Sequence, residues 1–297
     1  MNILGTECFA KLINQSQSLI RLGIWDGVRI DDLLTWRKNF TTDTEKIFAA
    51  YVLDHLVYRN VQHMTAMLYD VLTRHLHNEW RLDHNLLYSE SKNPLDILQQ
   101  KYGPLSIRYM GAVKSEWSQT KSGYRIIHHL NHQLAINAKW NTKIDNISRD
   151  YLSCVRTFLI FDDIICTGEQ MCEVLAEIDY NSVADAKFYI CVCAAHEQGI
   201  YRIKEEFPWV RIIYAEKLLN NTTIFDFVQT KTLGLDDTIT LNDWYESFLE
   251  KINYRGDKYG KGNLAMLYAF QEGVPNNSLP ILYHNNDQFK LLLRKRG

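Results

Sequence analysis

Apolar positions recur at helical spacing through the first hundred residues. Ile47, Phe48, Tyr51, Val52 and Leu56 fall on one face of a helix, which the pattern carries through Leu56-Val57-Tyr58-Arg59. Met64, Met67, Leu68, Val71 and Leu72 form a second run after the break at Asn60. Thr42 and Glu45 make a Thr-x-x-Glu capping box ahead of the first run, so a helix starts there. Asn93-Pro94 opens a short helix, with proline where a missing N–H costs nothing, and Gly103-Pro104 ends it.

From residue 105 the rhythm changes to short apolar runs between helical segments. Strands are predicted over 106–112, 155–161, 187–195 and 210–214, and helices over 124–138, 169–178 and 196–206. A polar loop covers 114–123 and a turn 162–168. The tail adds a helix over 241–252, a strand over 264–270 and a Pro/Asn-rich loop over 275–280. This alternation predicts an α/β fold: a mostly parallel central sheet with helices on both faces. Residues 1–100 read as an N-terminal helical extension and 101–297 as the α/β core with a C-terminal segment.

Composition narrows the class. A chain of 297 residues that is 46% hydrophobic has the material for a substantial core and too much for a disordered regulator. The net charge of −2 gives no general drive toward nucleic acid or anionic membrane. No apolar run is long enough to span a bilayer and no leader pattern opens the chain, so a cytoplasmic protein is expected. Six cysteines without a Cys-x-x-Cys pair read as reduced, small buried hydrophobes.

The sharpest chemistry is in Thr157-Phe-Leu-Ile-Phe-Asp162-Asp163-Ile-Ile-Cys166-Thr167-Gly168-Glu169-Gln170-Met171. A buried strand ends on two adjacent carboxylates, and a turn delivers Thr-Gly to a helix start. Ligands of open α/β sheets bind outside the carboxyl ends of the strands. A helix start presents unpaired N–H groups to a phosphate, and Gly168 permits close backbone approach. Paired carboxylates suit ribose hydroxyls or a metal-bound sugar phosphate. The plainer reading is a turn that two acids merely solvate.

This order resembles the phosphoribosyl-pyrophosphate (PRPP) motif of type I phosphoribosyltransferases. The resemblance implies that Asp162 and Asp163 hold the ribose hydroxyls, and that Cys166, Thr167, Gly168, Glu169 and Gln170 line the 5-phosphate. It implies Mg²⁺ carried with the substrate, reaching the protein at most through Asp162 and Asp163. Lys114, in the loop after the 106–112 strand, stands where these enzymes meet the diphosphate; an ordinary surface lysine is the alternative. Arg108 either faces the sheet edge or is aimed at the site. Two departures stand out: Cys166 replaces the Asp that purine-salvage members often carry, and Glu169-Gln170 replaces Gly-Thr.

The wider pattern, with Trp25, Trp36, Asn39-Phe40, the Leu56–Arg59 stretch, Tyr259-Gly260-Lys261-Gly262-Asn263 and Pro275-Asn276-Asn277-Ser278-Leu279-Pro280, is similar to the bacterial conflict-associated phosphoribosyltransferase-like family, PRTase-CE. That resemblance implies a part in antiviral defence with partner proteins, retron systems with a reverse transcriptase being one setting. Three functional classes follow: an enzyme acting at the ribose anomeric carbon, a non-catalytic nucleotide-sensing regulatory subunit, and an interaction scaffold docking through Met64 and Met67. Other features are ambiguous. His128 and His132 have metal-binding i, i+4 spacing but read mainly as a polar helix face. Asn276 and Asn277 make either a hood over a sugar, with Tyr283 stacking on a base, or a structural turn. The Arg294-Lys295-Arg296 cluster is a solvated tail.

Overall fold

A computed structural model of the chain describes residues 3–83, 92–102, 106–114, 116–117, 122–221, 223–228, 233–235 and 238–295. The expected stop at Gly103-Pro104 lies outside these residues. Six strands are described: β1 (Val57–Arg59), β2 (Ile107–Gly111), β3 (Thr157–Ile165), β4 (Lys187–His196), β5 (Val210–Leu218) and β6 (Tyr268–Phe270). The contacts group into two compact units, Gln62–Leu219 and Met1–Val61 with Asn220–Arg296. These units are cut differently from the expected 1–100 and 101–297. Residues 62–83 group with the sheet, and 220–295 with the N-terminal helices.

In the unit Gln62–Leu219, β2, β3, β4 and β5 lie side by side in that order, all parallel. Beyond β2, Asn141 bridges Tyr109, and the Thr142 N–H donates to the Tyr109 carbonyl at 2.8 Å. Every residue of β3 is buried, and every residue of β4 except Lys187, which is why both read as near-continuous apolar runs. One face carries Met110, Phe158, Ile160, Phe188, Ile190 and Val192. They pack with Met171, Val174 and Leu175 of the helix Glu169–Leu175 and with Ile200 and Ile203 of the helix Glu197–Glu206. Each such side chain contributes about 1.5–3 kcal/mol on burial. The other face is covered from two directions. The Tyr109 hydroxyl donates to Asn131 of the helix Ser122–Gln133 at 2.6 Å, and the Tyr189 hydroxyl donates to Asp83 of the helix Leu76–Asp83 at 2.6 Å. The expected layering, helices on both faces of a parallel sheet, is therefore the observed one.

Asp83 also receives a two-pronged pair of bonds from Arg211, at 2.8 and 2.6 Å. Burial alone would raise its carboxyl pKa, but the bonds from Arg211 and Tyr189 outweigh it and hold the group low. Met64 is buried in the core; Met67 is half-buried beside it on the same helix.

The second unit is built on the helices Ile3–Arg21, Asp43–His55 and Leu241–Lys251, with Trp36, Phe40, Phe48, Phe248 and Phe289 in its core. The capping box of Thr42 and Glu45 forms with both halves in place. Residues 57–59 are not the end of that helix. They form β1, which pairs in parallel with β6, and the Val57 N–H donates to the Leu267 carbonyl at 2.9 Å. The strand expected over 264–270 shortens to β6, because Gly260, Gly262, Asn263 and Ala265 take positive φ angles that break extended pairing. Asn276 and Asn277 form a structural turn here. The Lys261 N–H donates to the Asn276 carbonyl at 2.9 Å, and the Asn277 side chain donates to the Lys261 carbonyl at 2.6 Å. Tyr283 is buried in this unit's core.

All six cysteines are free; Cys172, Cys191 and Cys193 are buried as expected, but Cys8 and Cys154 are exposed and Cys166 is partly so. No helix among the described residues is long and apolar enough to cross a membrane.

Candidate functional site

The acid pair is not in a turn. β3 runs on through Ile165, so Asp162 and Asp163 sit inside a strand, 4% and 3% exposed. Pattern reading ends a strand at the first charge, whereas the ladder here continues beneath it. The Asp162 carboxylate accepts one bond from the Asp163 N–H at 2.9 Å and another from the Gln170 side-chain amide at 3.2 Å. Two adjacent buried carboxylates are costly unless hydrogen-bonded or matched by a ligand.

The strands change phase at this level. The β3–β4 ladder runs to Asp162↔Val192 and resumes at Ile164↔Ala194, passing over Asp163 and Cys193; the β4–β5 ladder passes over Cys193 and Ala215 in the same way. Below the skip, Phe158 and Ile160 belong to the apolar cluster that includes Met171, Val174 and Leu175; above it, Ile165 does. Such irregularities re-aim side chains near sites, and this one lies at the acid pair.

Beyond β3, residues 166–168 make the turn. Gly168 has φ +79°, a left-handed conformation that favours glycine, and it stands immediately before the helix Glu169–Leu175. Cys166, Thr167, Glu169 and Gln170 are partly exposed, and Gly168 is buried. The turn is seated against the start of the next helix: a Cβ on Gly199 would lie 2.4 Å from the Cys166 carbonyl oxygen and 2.9 Å from the Gly168 nitrogen. Sequence reasoning missed this contact, although a glycine in the first turn after a strand was its signal. It also missed His196, the last residue of β4, which is 2% exposed. Its Nδ1 accepts the Gln198 N–H at 3.3 Å, which assigns the ring proton to Nε2. Burial holds the imidazole below the usual histidine pKa, with Glu197 pulling the other way.

The structure thus brings together Asp162, Asp163 and the residues 166–170. Lys114 follows β2, the strand next to β3, and its ammonium lies 3.4 Å from Glu177 and 3.9 Å from Glu173, over the Trp117 ring at 5.7 Å. It lines a cleft of about 90 Å³ with Gly111, Gly123, Tyr124 and Lys143. A Cβ on Gly111 would sit 2.3 Å from the Gly123 carbonyl oxygen, so β2 abuts the helix Ser122–Gln133 backbone to backbone. Arg108 faces the sheet edge, donating to the Ile107 carbonyl at 2.8 Å and lying 5.6 Å over Trp140. His128 and His132 lie with ring centroids 4.1 Å apart, tilted by 37°, on an exposed helix face, and no group of three metal-ligating side chains occurs among the described residues.

A parallel sheet whose buried strand carries an acid pair near its carboxyl end and runs on into a Thr-Gly turn and a helix is the arrangement expected of a phosphoribosyltransferase-like fold. The profile of the PRTase-CE family matches residues 33–295, and the chain belongs to that family. None of the curated proteins compared with the sequence matches it. Among solved structures, the AQ2163 protein from Aquifex aeolicus is similar over 64% of this chain and 83% of that one. The identity is 12% and the TM-score 0.30, too loose a likeness to carry an argument.

Proposed function

We propose that the chain binds PRPP or a related nucleotide at the carboxyl end of β3. Asp162 and Asp163 take the ribose hydroxyls, and Cys166, Thr167, Gly168, Glu169 and Gln170 line the 5-phosphate. The observation that carries this reading is the acid pair itself: two consecutive carboxylates, 4% and 3% exposed, inside a strand that is apolar but for Thr157. Ligands of open α/β sheets bind outside the carboxyl ends of the strands, and carboxylate oxygens placed there accept hydrogen bonds from sugar hydroxyls. Carboxylate oxygens also fit a hard cation, and Mg²⁺ bound with the diphosphate would neutralise its charge. In turnover, the bond from the anomeric carbon to the diphosphate breaks, its electron pair leaves with the diphosphate, and an acceptor lone pair forms the new bond. Asp162 and Asp163 hold the ribose while its ring becomes cation-like, and Lys114, released from its ion pairs, meets the departing diphosphate.

A second reading, a nucleotide sensor without turnover, is favoured by the Gln170 amide on Asp162 and by Cys166 in place of an acid. Under either reading the chain is an effector or component of a bacterial antiviral system. Its partners there are other proteins of the system, a retron reverse transcriptase or a regulatory subunit among them, in the cytoplasm.

Calorimetry with ribose 5-phosphate and with PRPP plus MgCl₂ tests the site. Wild type binds, and Asp162→Asn/Asp163→Asn loses binding while its melting temperature holds or rises, because removing adjacent like charges relieves repulsion. A wild type that binds neither ligand defeats the proposal. A large fall in the variant's melting temperature makes the pair structural. Mass spectrometry of products from PRPP and a nucleobase panel separates enzyme from sensor.

A further inference from the structure

One helix face reaches both halves of the site. Gln170, in the first turn of the helix Glu169–Leu175, donates to Asp162. Glu173 lies one turn on, and Glu177, just past the helix end, continues the same stripe. These two carboxylates hold Lys114 at 3.9 and 3.4 Å. The lysine side chain is only 20% exposed, and its partners are 48% and 31% exposed, so the cluster is partly shielded from solvent. Lys143, across the adjoining cleft, makes no ion pair among the described residues.

Acidic groups outnumber basic ones in this region. Asp162, Asp163, Glu169, Glu173 and Glu177 cluster along β3 and the helix that follows, and Lys114 is already neutralised by two of them. A diphosphate approaching Lys114 must break both ion pairs and then lie beside the two carboxylates it has displaced. A sugar monophosphate seated at the turn asks for neither. We infer that Glu173 and Glu177 set the ligand preference of the site: by holding Lys114 they weaken it for a diphosphate, so the chain favours a ribose carrying a single phosphate, as in ribose 5-phosphate or a nucleoside monophosphate. The inference rests on the sugar-phosphate reading proposed above and narrows its ligand class.

The test is calorimetry on the full chain at low salt with MgCl₂, using inorganic pyrophosphate and ribose 5-phosphate as separate probes. Glu173→Gln/Glu177→Gln binds pyrophosphate about tenfold tighter than wild type, and the gain shrinks as salt is added. Affinity for ribose 5-phosphate rises by a clearly smaller factor, since that ligand need not break the ion pairs of Lys114. Adding Lys114→Gln to the double variant cancels the gain. Both glutamates are substantially exposed, so the variants fold; melting curves verify this, and Glu177→Gln alone gives a smaller gain in the same direction. Equal pyrophosphate affinity in wild type and double variant overturns the inference, as does a gain that survives Lys114→Gln. If wild type still binds ribose 5-phosphate in either case, the sugar-phosphate reading stands without this refinement. Absence of binding by both probes to every form defeats both.

Discussion

Gly199→Ala isolates the seating of the 166–168 turn. On helix propensity alone the substitution should stabilise, since glycine inside a helix is worth about 0.8–1 kcal/mol less than alanine. Geometry opposes it. The added methyl would stand 2.4 Å from the Cys166 carbonyl oxygen, 2.6 Å from Ile165 Cγ2 and 2.9 Å from the Gly168 nitrogen. Two of these three atoms are backbone, so no flexible side chain can yield, and either the helix Glu197–Glu206 or the turn must move. Overpacking of this kind costs about 1–3 kcal/mol. Set against the propensity gain, the expected net loss is up to about 2 kcal/mol, or a fall of up to roughly 3 °C in melting temperature for a chain of 297 residues. Because the displaced atoms belong to the 166–168 turn, ribose 5-phosphate affinity falls along with stability. Scanning calorimetry reads the first effect and titration calorimetry the second. A higher melting temperature in Gly199→Ala would refute the reasoning, because it would mean that the helix start is not pressed against the turn.

Two further outcomes follow from other parts of the structure. Glu45 has a side chain only 5% exposed; burial alone would raise its pKa, but bonds from Lys251, Thr42 and Thr41 hold it below the usual 4.5. A lowered carboxyl contributes stability above its unfolded pKa and loses it as pH falls through the folded value. Glu45→Gln therefore costs about 1–2 kcal/mol near neutrality, and the gap to wild type closes below pH 4.5 in acid melts; a gap independent of pH would contradict this. Thiol titration should find Cys8 and Cys154 fast and Cys172, Cys191 and Cys193 reactive only on unfolding. Burial raises the Cys172 thiol to about 11 and the Cys191 thiol higher still. Rapid labelling of Cys191 in the folded protein would show that β4 is not the closed central strand described.

Much of this architecture is legible in the chain. Capping residues announce their own geometry, so the Thr42–Glu45 box and the Asn93-Pro94 start appear where the pattern puts them. The buried runs of β3 and β4 are equally plain. What escapes has a physical reason in each case. β1 is three residues long, too short for any period, and its partner β6 is remote in sequence, so it merges with the helix before it. The end of β3 was misplaced because a pattern treats Asp162 and Asp163 as solvent-seeking, while the fold buries them. The phase change at Asp163 and Cys193 leaves no trace, since β3 and β4 are buried on both faces and show no alternation to interrupt. The Thr167-Gly168 turn could be read locally. The hold of Glu173 and Glu177 on Lys114 could not, because it depends on β2 and β3 being neighbours.

The unit that holds β1 and β6 has a consequence for how the protein comes into being. A ribosome delivers Val57 well before its strand partner Tyr268 exists. At about 5–20 residues per second the interval is on the order of tens of seconds. Residues 62–219 need not wait, because each strand of their sheet pairs with the next one to emerge. The aromatics Trp36, Phe40 and Phe48 do wait, for the helix Leu241–Lys251 and for Phe289. During that time they have one another and Phe9 of the first helix for company, and the surfaces they later turn to those elements stay open to water. Premature release before residue 220 leaves the sheet complete and the N-terminal aromatics without their cover.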